Sequence, residues 1–406
     1  MASICFYLHC HQPFRLKKFS VFDIGNNSSY FDDEKNKAYL ERIVRKSYLP
    51  TNKILLDLIK RTKKRFKVSF SITGTLLEQL EKDFPEVIKS FQDLVKTGCV
   101  ELLSETYYHS LAYLYSKEEF KKQILLHRKK LKEIFDYEPI VFRNTELIFN
   151  NEMASFIEKM GYQGILAEGV DYILGWRSPN FLYRSKKTKK IKLLLKNYRL
   201  SDDIAFRFST QDWIGWPLTA EKYVAWFNEI KEPIINLFMD YETFGEHQWK
   251  ETGIFEFLKT FPYQALKNGH TFKTPSEILK LYQPVAELDF PYIVSWADVD
   301  RDLSAWLGNK MQQSAAEKIY SLEKEILATK DKKIIEDWRK LQTADHFYYI
   351  CTKWFADGDV HKYFNPYESP YDCFVIYMNI FNDLKLRLER FKNKINNPKG
   401  RKKLNF

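Results

Sequence analysis

The chain has 406 residues, 45% of them hydrophobic and 29% charged, with a formal net charge of +11. That length and apolar share support a large core with a second, smaller domain, and exclude a chain disordered throughout. Five cysteines, an odd number without CxxC spacing, exclude a disulfide framework or a zinc ribbon and read as ordinary buried thiols.

The N-terminal stretch MASICFYLHCHQPF is too short in apolar residues for a secretory core. No segment approaches the roughly 18 apolar residues of a membrane helix, so a cytoplasmic protein without membrane partners is expected. Basic runs at 60–65 (KRTKKR), 127–132 (HRKKLK) and 185–190 (SKKTKK) alternate with acids and accompany no nucleic-acid motif. They read as solvated faces, with no nucleic acid as partner. A basic tail from about residue 396 reads as flexible. Aromatic residues make up 16% of the chain, ample material for packing and for stacking on sugar rings.

In chain order, the apolar runs SICFYLH (3–9), FKVSFSI (66–72), CVELLS (99–104), PIVFRN (139–144), QGILAE (163–168), KIKLLLKN (190–197) and PIINLFMD (233–240) are expected strands. Between them lie helical patterns at 52–64, 85–98, 117–135, 151–161 and 219–230. Strand and helix alternate, the pattern of an α/β fold with a parallel sheet. No glycine-rich phosphate loop follows any strand, which favours a closed or nearly closed (β/α) barrel over a doubly wound sheet. The barrel is expected over residues 1–290. Long helical segments at 315–355 and 371–395 form a C-terminal helical domain, 291–406, with the loop SWADVDRDLSAWLGN (295–309) at the join.

Catalytic side chains of such barrels project from the C-terminal ends of strands. The first strand ends in HCHQP, with His9 and His11 on one side of an extended chain. The third leads into GCVELLSETYYHS, with Glu101, Glu105 and His109. The fourth ends at FRNTELIFN with Glu146, and the last at FMDYETFGEHQW with Asp240, Glu242 and Glu246. Two carboxylates facing a cleft would serve glycoside cleavage, one as nucleophile or base and one as proton donor. The same residue types could hold a metal, with His9, His11 and Asp240 as ligands. Residue types alone leave both chemistries open.

HCHQP, the GCVE segment, FRNTELIFN, FMDYETFGE and DRDLSAWLGN, in that order over residues 9 to 309, resemble the five sequence regions of glycoside hydrolase family 57, most closely its α-amylase-like members. The resemblance implies a (β/α)7 barrel followed by a helical bundle, and retaining cleavage of α-1,4 bonds in α-glucans or malto-oligosaccharides without a cofactor. It makes Glu146 the nucleophile and Asp240 the acid/base. In the −1 subsite it puts His9 and His11 on sugar hydroxyls, Glu101 in a supporting role, and Trp306 as an aromatic wall. Phe244 and Trp213 are candidate stacking surfaces, and Glu242 and Glu246 candidate loop-orienting acids. A 4-α-glucanotransferase or branching enzyme on the same scaffold, and a non-catalytic glucan-binding relative, are the alternatives. No starch-binding module is recognisable, so soluble α-glucan is the expected substrate.

Overall fold

The first strand, Ser3–Cys10, is buried along its whole length, as a strand covered on both faces requires. The computed structural model describes residues 1–353 and 360–396. The strands are β1 (Ser3–Cys10), β2 (Val68–Ile72), β3 (Val100–Leu102), β4 (Val141–Arg143), β5 (Gly164–Glu168), β6 (Tyr183–Ser185), β7 (Lys192–Lys196), β8 (Ile234–Asp240), β9 (Thr271–Phe272) and β10 (Glu287–Leu288). All seven expected strands are present. The additional β6, β9 and β10 are two or three residues long, too short for a periodic signal.

One sheet runs β3-β2-β1-β8, with β9 also paired to β1; the other runs β10-β6-β7-β5-β4. Every pairing is parallel except β6 with β7. Beyond these ladders, Ser104 N–H donates to Val141 O at 3.0 Å and Arg143 N–H to Ser104 O at 2.9 Å, linking the end of β3 to β4. On the other side, Asn197 N–H donates to Asn236 O at 2.9 Å, and the Asn236 amide to Leu195 O at 2.9 Å. That links β7 to β8.

The chain forms two compact units: Met1–Gln12, Lys37–Tyr107 and Lys121–Ala297 in the first, Pro13–Asn36, Tyr108–Phe120 and the chain from Asp298 in the second. The first holds both sheets. Its core gathers Phe6, Phe66, Phe70, Phe91, Tyr223, Phe244 and Phe261 around the strands. In the second, the helical run expected over 315–355 is divided into Lys310–Ser321, Glu323–Thr329, Lys332–Lys340 and Ala344–Tyr348. The break before Lys332 has a local cause: Lys330 is left-handed and the Asp331 side chain caps the next helix by accepting from Ile334 N–H. Buried Trp338 donates to Ile319 O at 2.8 Å, and Glu119, fully buried, takes Arg339 in a two-point pair at 2.8 and 3.1 Å. No helix among the described residues is long and apolar enough to cross a membrane. The basic tail expected from about residue 396 falls almost wholly outside the described residues.

Candidate active site

Four strands of the first unit end in a charged residue: Arg143 on β4, Glu168 on β5, Lys196 on β7 and Asp240 on β8. His9, next to last in β1, lies in register with Ser71 on one side and Asp240 on the other. Trp296 ties several of these ends together. Its Nε1–H donates to Glu146 Oε2 at 2.6 Å, and its N–H to Glu146 O at 3.1 Å. The His9 ring meets its ring edge-on at 6.3 Å, and the Arg143 and Lys196 cations lie 5.2 and 5.4 Å from a ring centre of its indole. Glu146 itself has φ +56 in a short 3-10 turn after β4. That left-handed backbone is costly for a side-chain-bearing residue and recurs at functional sites.

Beside Glu146 lies a buried charge. Arg143, fully buried, donates to Glu105 Oε2 at 3.4 Å; burial opposes its charge, and the nearby Glu105, Glu146 and Asp240 carboxylates hold its guanidinium protonated all the same. Glu105 is also fully buried, its Oε1 lying 3.7 Å from His9 Nδ1. Its backbone N–H donates to His127 Nδ1 at 3.2 Å, while His127 Nε2–H donates to Ile72 O at 2.8 Å. Burial lowers the pKa of His127, which fits this neutral tautomer. His9 Nδ1 is bonded to Ser71 Oγ at 2.9 Å, and Ser71 in turn to Tyr7 Oη at 2.6 Å. His11 Nδ1 is bonded to Thr73 Oγ1 at 2.9 Å, and the two imidazoles lie nearly parallel, 6.0 Å apart. Lys196 is held by Asp202 at 2.9 Å and Glu168 at 3.7 Å.

Past Asp240 the chain turns at once. Gly245 has φ +105, and a Cβ there would stand 2.0 Å from Lys46 O, so only glycine closes this loop. Glu242, buried, accepts from the Tyr48 hydroxyl and from Gln12 Nε2. Burial, then the neighbouring Asp240 charge, pushes its pKa up to about 8. Below that pH it is neutral and spares Asp240 a second negative charge. Glu246 pairs with Arg42 at 2.7 Å and anchors the loop.

Glu146, Asp240, His9 and His11 thus fall in one region of the first unit. Glu101 is in register with Ser69, two residues before the level of Ser71 on β2, and its carboxylate accepts from Ser276 N–H at 2.9 Å, at the start of the helix Pro275–Leu281. Burial raises its pKa. Glu105 stands beside His9 instead. Phe244 is corrected from stacking surface to core: it is fully buried, edge-on to Phe6 at 6.1 Å. Trp213, half-buried, packs edge-on to Trp226 at 6.0 Å, with the Arg207 guanidinium 5.7 Å from its ring. Trp306, in the second unit, is 1% exposed and packs on Tyr348. Arg143, Lys196, Glu168 and Trp296 escaped the sequence reading. The first three obey the strand-end criterion that selected Asp240, had it been applied to cations and to every strand.

A family profile described as "Glycosyl hydrolase family 57" matches residues 5–291. A protein of Methanocaldococcus jannaschii named "Putative alpha-amylase" is 46% identical over 395 residues, covering 94% of this chain and 83% of its own length. Among solved structures, a GH57 branching enzyme from Thermococcus kodakaraensis superposes with a TM-score of 0.69 at 14% identity, over 99% of this chain and 92% of that one. A 4-alpha-glucanotransferase from Thermococcus litoralis gives 0.59 at 19% identity over 92% of this chain, which spans only 55% of that protein. At those identities the structural likeness speaks for the fold alone.

Proposed function

The chain belongs to glycosyl hydrolase family 57, and from that premise we propose that it is a retaining α-amylase-type enzyme cleaving α-1,4 bonds in soluble α-glucans. Membership in a glycosidase family decides for glycoside chemistry over the metal-hydrolase alternative that residue types left open. Glu146 is the nucleophile and Asp240 the acid/base. The observation that carries this reading is geometric: His9 lies in register with Asp240 and meets the Trp296 indole edge-on at 6.3 Å, and that indole's N–H holds Glu146 at 2.6 Å. The seven strands β1, β2, β3, β4, β5, β7 and β8 form a (β/α)7 barrel in this reading, supported by the Ser104 and Asn236 hydrogen bonds that join the two sheets. Buried, unpaired thiols suit a cytoplasmic setting.

In the first step Asp240, protonated, donates to the glycosidic oxygen as Glu146 attacks the anomeric carbon through an oxocarbenium-like transition state, giving a covalent glycosyl-enzyme. In the second, Asp240 takes a proton from water, which displaces Glu146 with net retention. His9 and His11, their Nδ1 atoms fixed by Ser71 and Thr73, bind sugar hydroxyls. Incubation with maltoheptaose followed by chromatography tests the reading. Shorter sugars alone are expected from the wild type, and none from Glu146→Gln. Longer sugars appearing with shorter ones would replace hydrolysis by glycosyl transfer. An unchanged substrate, or an active Glu146→Gln variant, overturns the assignment.

A further inference from the structure

Arg143 carries more charge into the interior than its bonding accounts for. It is fully buried, its hydrogen bond to Glu105 is a single one of 3.4 Å, and its Nε and Nη2 have no hydrogen-bond partner among the described residues. A buried guanidinium left with unmatched donors is costly. The same chain shows what it builds when only structure is asked of a buried pair: Arg339 grips Glu119 through two bonds of 2.8 and 3.1 Å. Arg143 instead lies 5.2 Å from the Trp296 ring, whose Nε1–H is bonded to Glu146. It also precedes Glu146 by three residues on the same strand and turn.

We propose that Arg143 is a positioning residue for the nucleophile: held between Glu105 and the Trp296 indole, its guanidinium keeps Glu146 ionised and seats the indole that orients it. This rests on the reading of Glu146 as nucleophile. A cation beside a carboxylate favours its charged form, and a glycosidase nucleophile must be ionised when substrate arrives. Glu105 offsets part of that positive charge, so the pair sets the field at Glu146 rather than a lone cation. Groups of the first unit around this cluster include Tyr7 and His9 from β1, Glu168 and Lys196 at the ends of β5 and β7, Asp240 at the end of β8 and Glu242 in the turn after it. His127, behind Glu105, is neutral. Lys196, a second cation over the indole, is bonded to Asp202 at 2.9 Å.

The acid limb of the kcat/KM–pH profile, measured on a chromogenic malto-oligosaccharide, reports the nucleophile's ionisation in the free enzyme. Arg143→Met removes the cation and is expected to move that limb up by about 1 pH unit. Glu105→Gln keeps the guanidinium without its counter-charge and is expected to move it down. Arg143→Lys is expected to keep the limb near the wild-type position while kcat falls. Arg143→Met leaves Glu105 buried and alone, so if it fails to fold the double variant Glu105→Gln/Arg143→Met is read against Glu105→Gln, with the limb again displaced upward. Limbs that coincide in all variants, or that move in one direction for both charge removals, overturn the proposal. An active Glu146→Gln enzyme would sink the nucleophile assignment; an inactive one, together with an acid limb that stays put in the Arg143 and Glu105 variants, sinks Arg143 alone.

Discussion

The indole N–H of Trp296 meets Glu146 across 150 positions of sequence at 2.6 Å. A hydrogen bond to a charged acceptor contributes about 1.5–3 kcal/mol, and here it also fixes which way the carboxylate faces. Trp296→Phe keeps a ring for Arg143 and Lys196 but deletes the donor. It should lower kcat/KM by about tenfold or more while the melting temperature stays close to wild type. An enzyme of unchanged kcat/KM would show that the bond does nothing for the reaction. Glu146 and Asp240 were legible in the sequence because each is an acid at the end of an apolar run and sits in an ordered set of motifs. Trp296 was not, although it lies in a loop whose later Trp306 was singled out. A tryptophan's type says nothing of which carboxylate its N–H will find once strands and loops are packed.

The strands were the most readable elements, since β-rich runs such as PIINLFMD stand out between polar helices whether or not their partners are known. Their register was not readable, and register decides the site: Glu101 and Glu105 differ by four residues, yet the first serves the helix Pro275–Leu281 and the second stands beside His9 and Arg143. Sorting aromatic residues between core and cleft failed for a related reason. With so many rings in the chain, type cannot separate Phe244, which packs on Phe6 beneath the loop after β8, from a sugar platform. Phe244→Ala should open a cavity in that element at a cost of about 3–5 kcal/mol, a fall of roughly 10 °C in melting temperature for a domain this size. A variant that melts like the wild type but binds malto-oligosaccharide more weakly would restore the stacking role. Calorimetry and a binding titration distinguish the two.

At the scale of the whole molecule, each compact unit carries a buried group whose proton is bound more tightly folded than unfolded. In the first unit Glu242 rises from an ordinary 4.5 to about 8. Its stabilising proton is fully effective below pH 4.5 and is lost as pH climbs through about 8. In the second unit burial alone would lower the pKa of His361, but its hydrogen bond to Asp298, at 3.0 Å, and the neighbouring Cys351 raise it to about 9. That contribution is complete below its ordinary 6.5 and is lost as pH rises through about 9. Both windows point to decline on the alkaline side. The net charge of +11 works the other way, because self-repulsion eases as pH rises. Surface charges more than about 8 Å apart are largely screened at physiological salt, whereas a buried carboxyl shifts stability by about 1.4 kcal/mol per pH unit within its window. The local terms win, and the melting temperature should fall steadily from about pH 6 to about pH 9. Glu242→Gln keeps the side-chain volume and an oxygen to accept from Tyr48, so the variant's curve should flatten over the lower part of that range and cross above the wild type by its alkaline end. Parallel curves for the two proteins would mean that the Glu242 carboxyl is not held neutral by its burial beside Asp240.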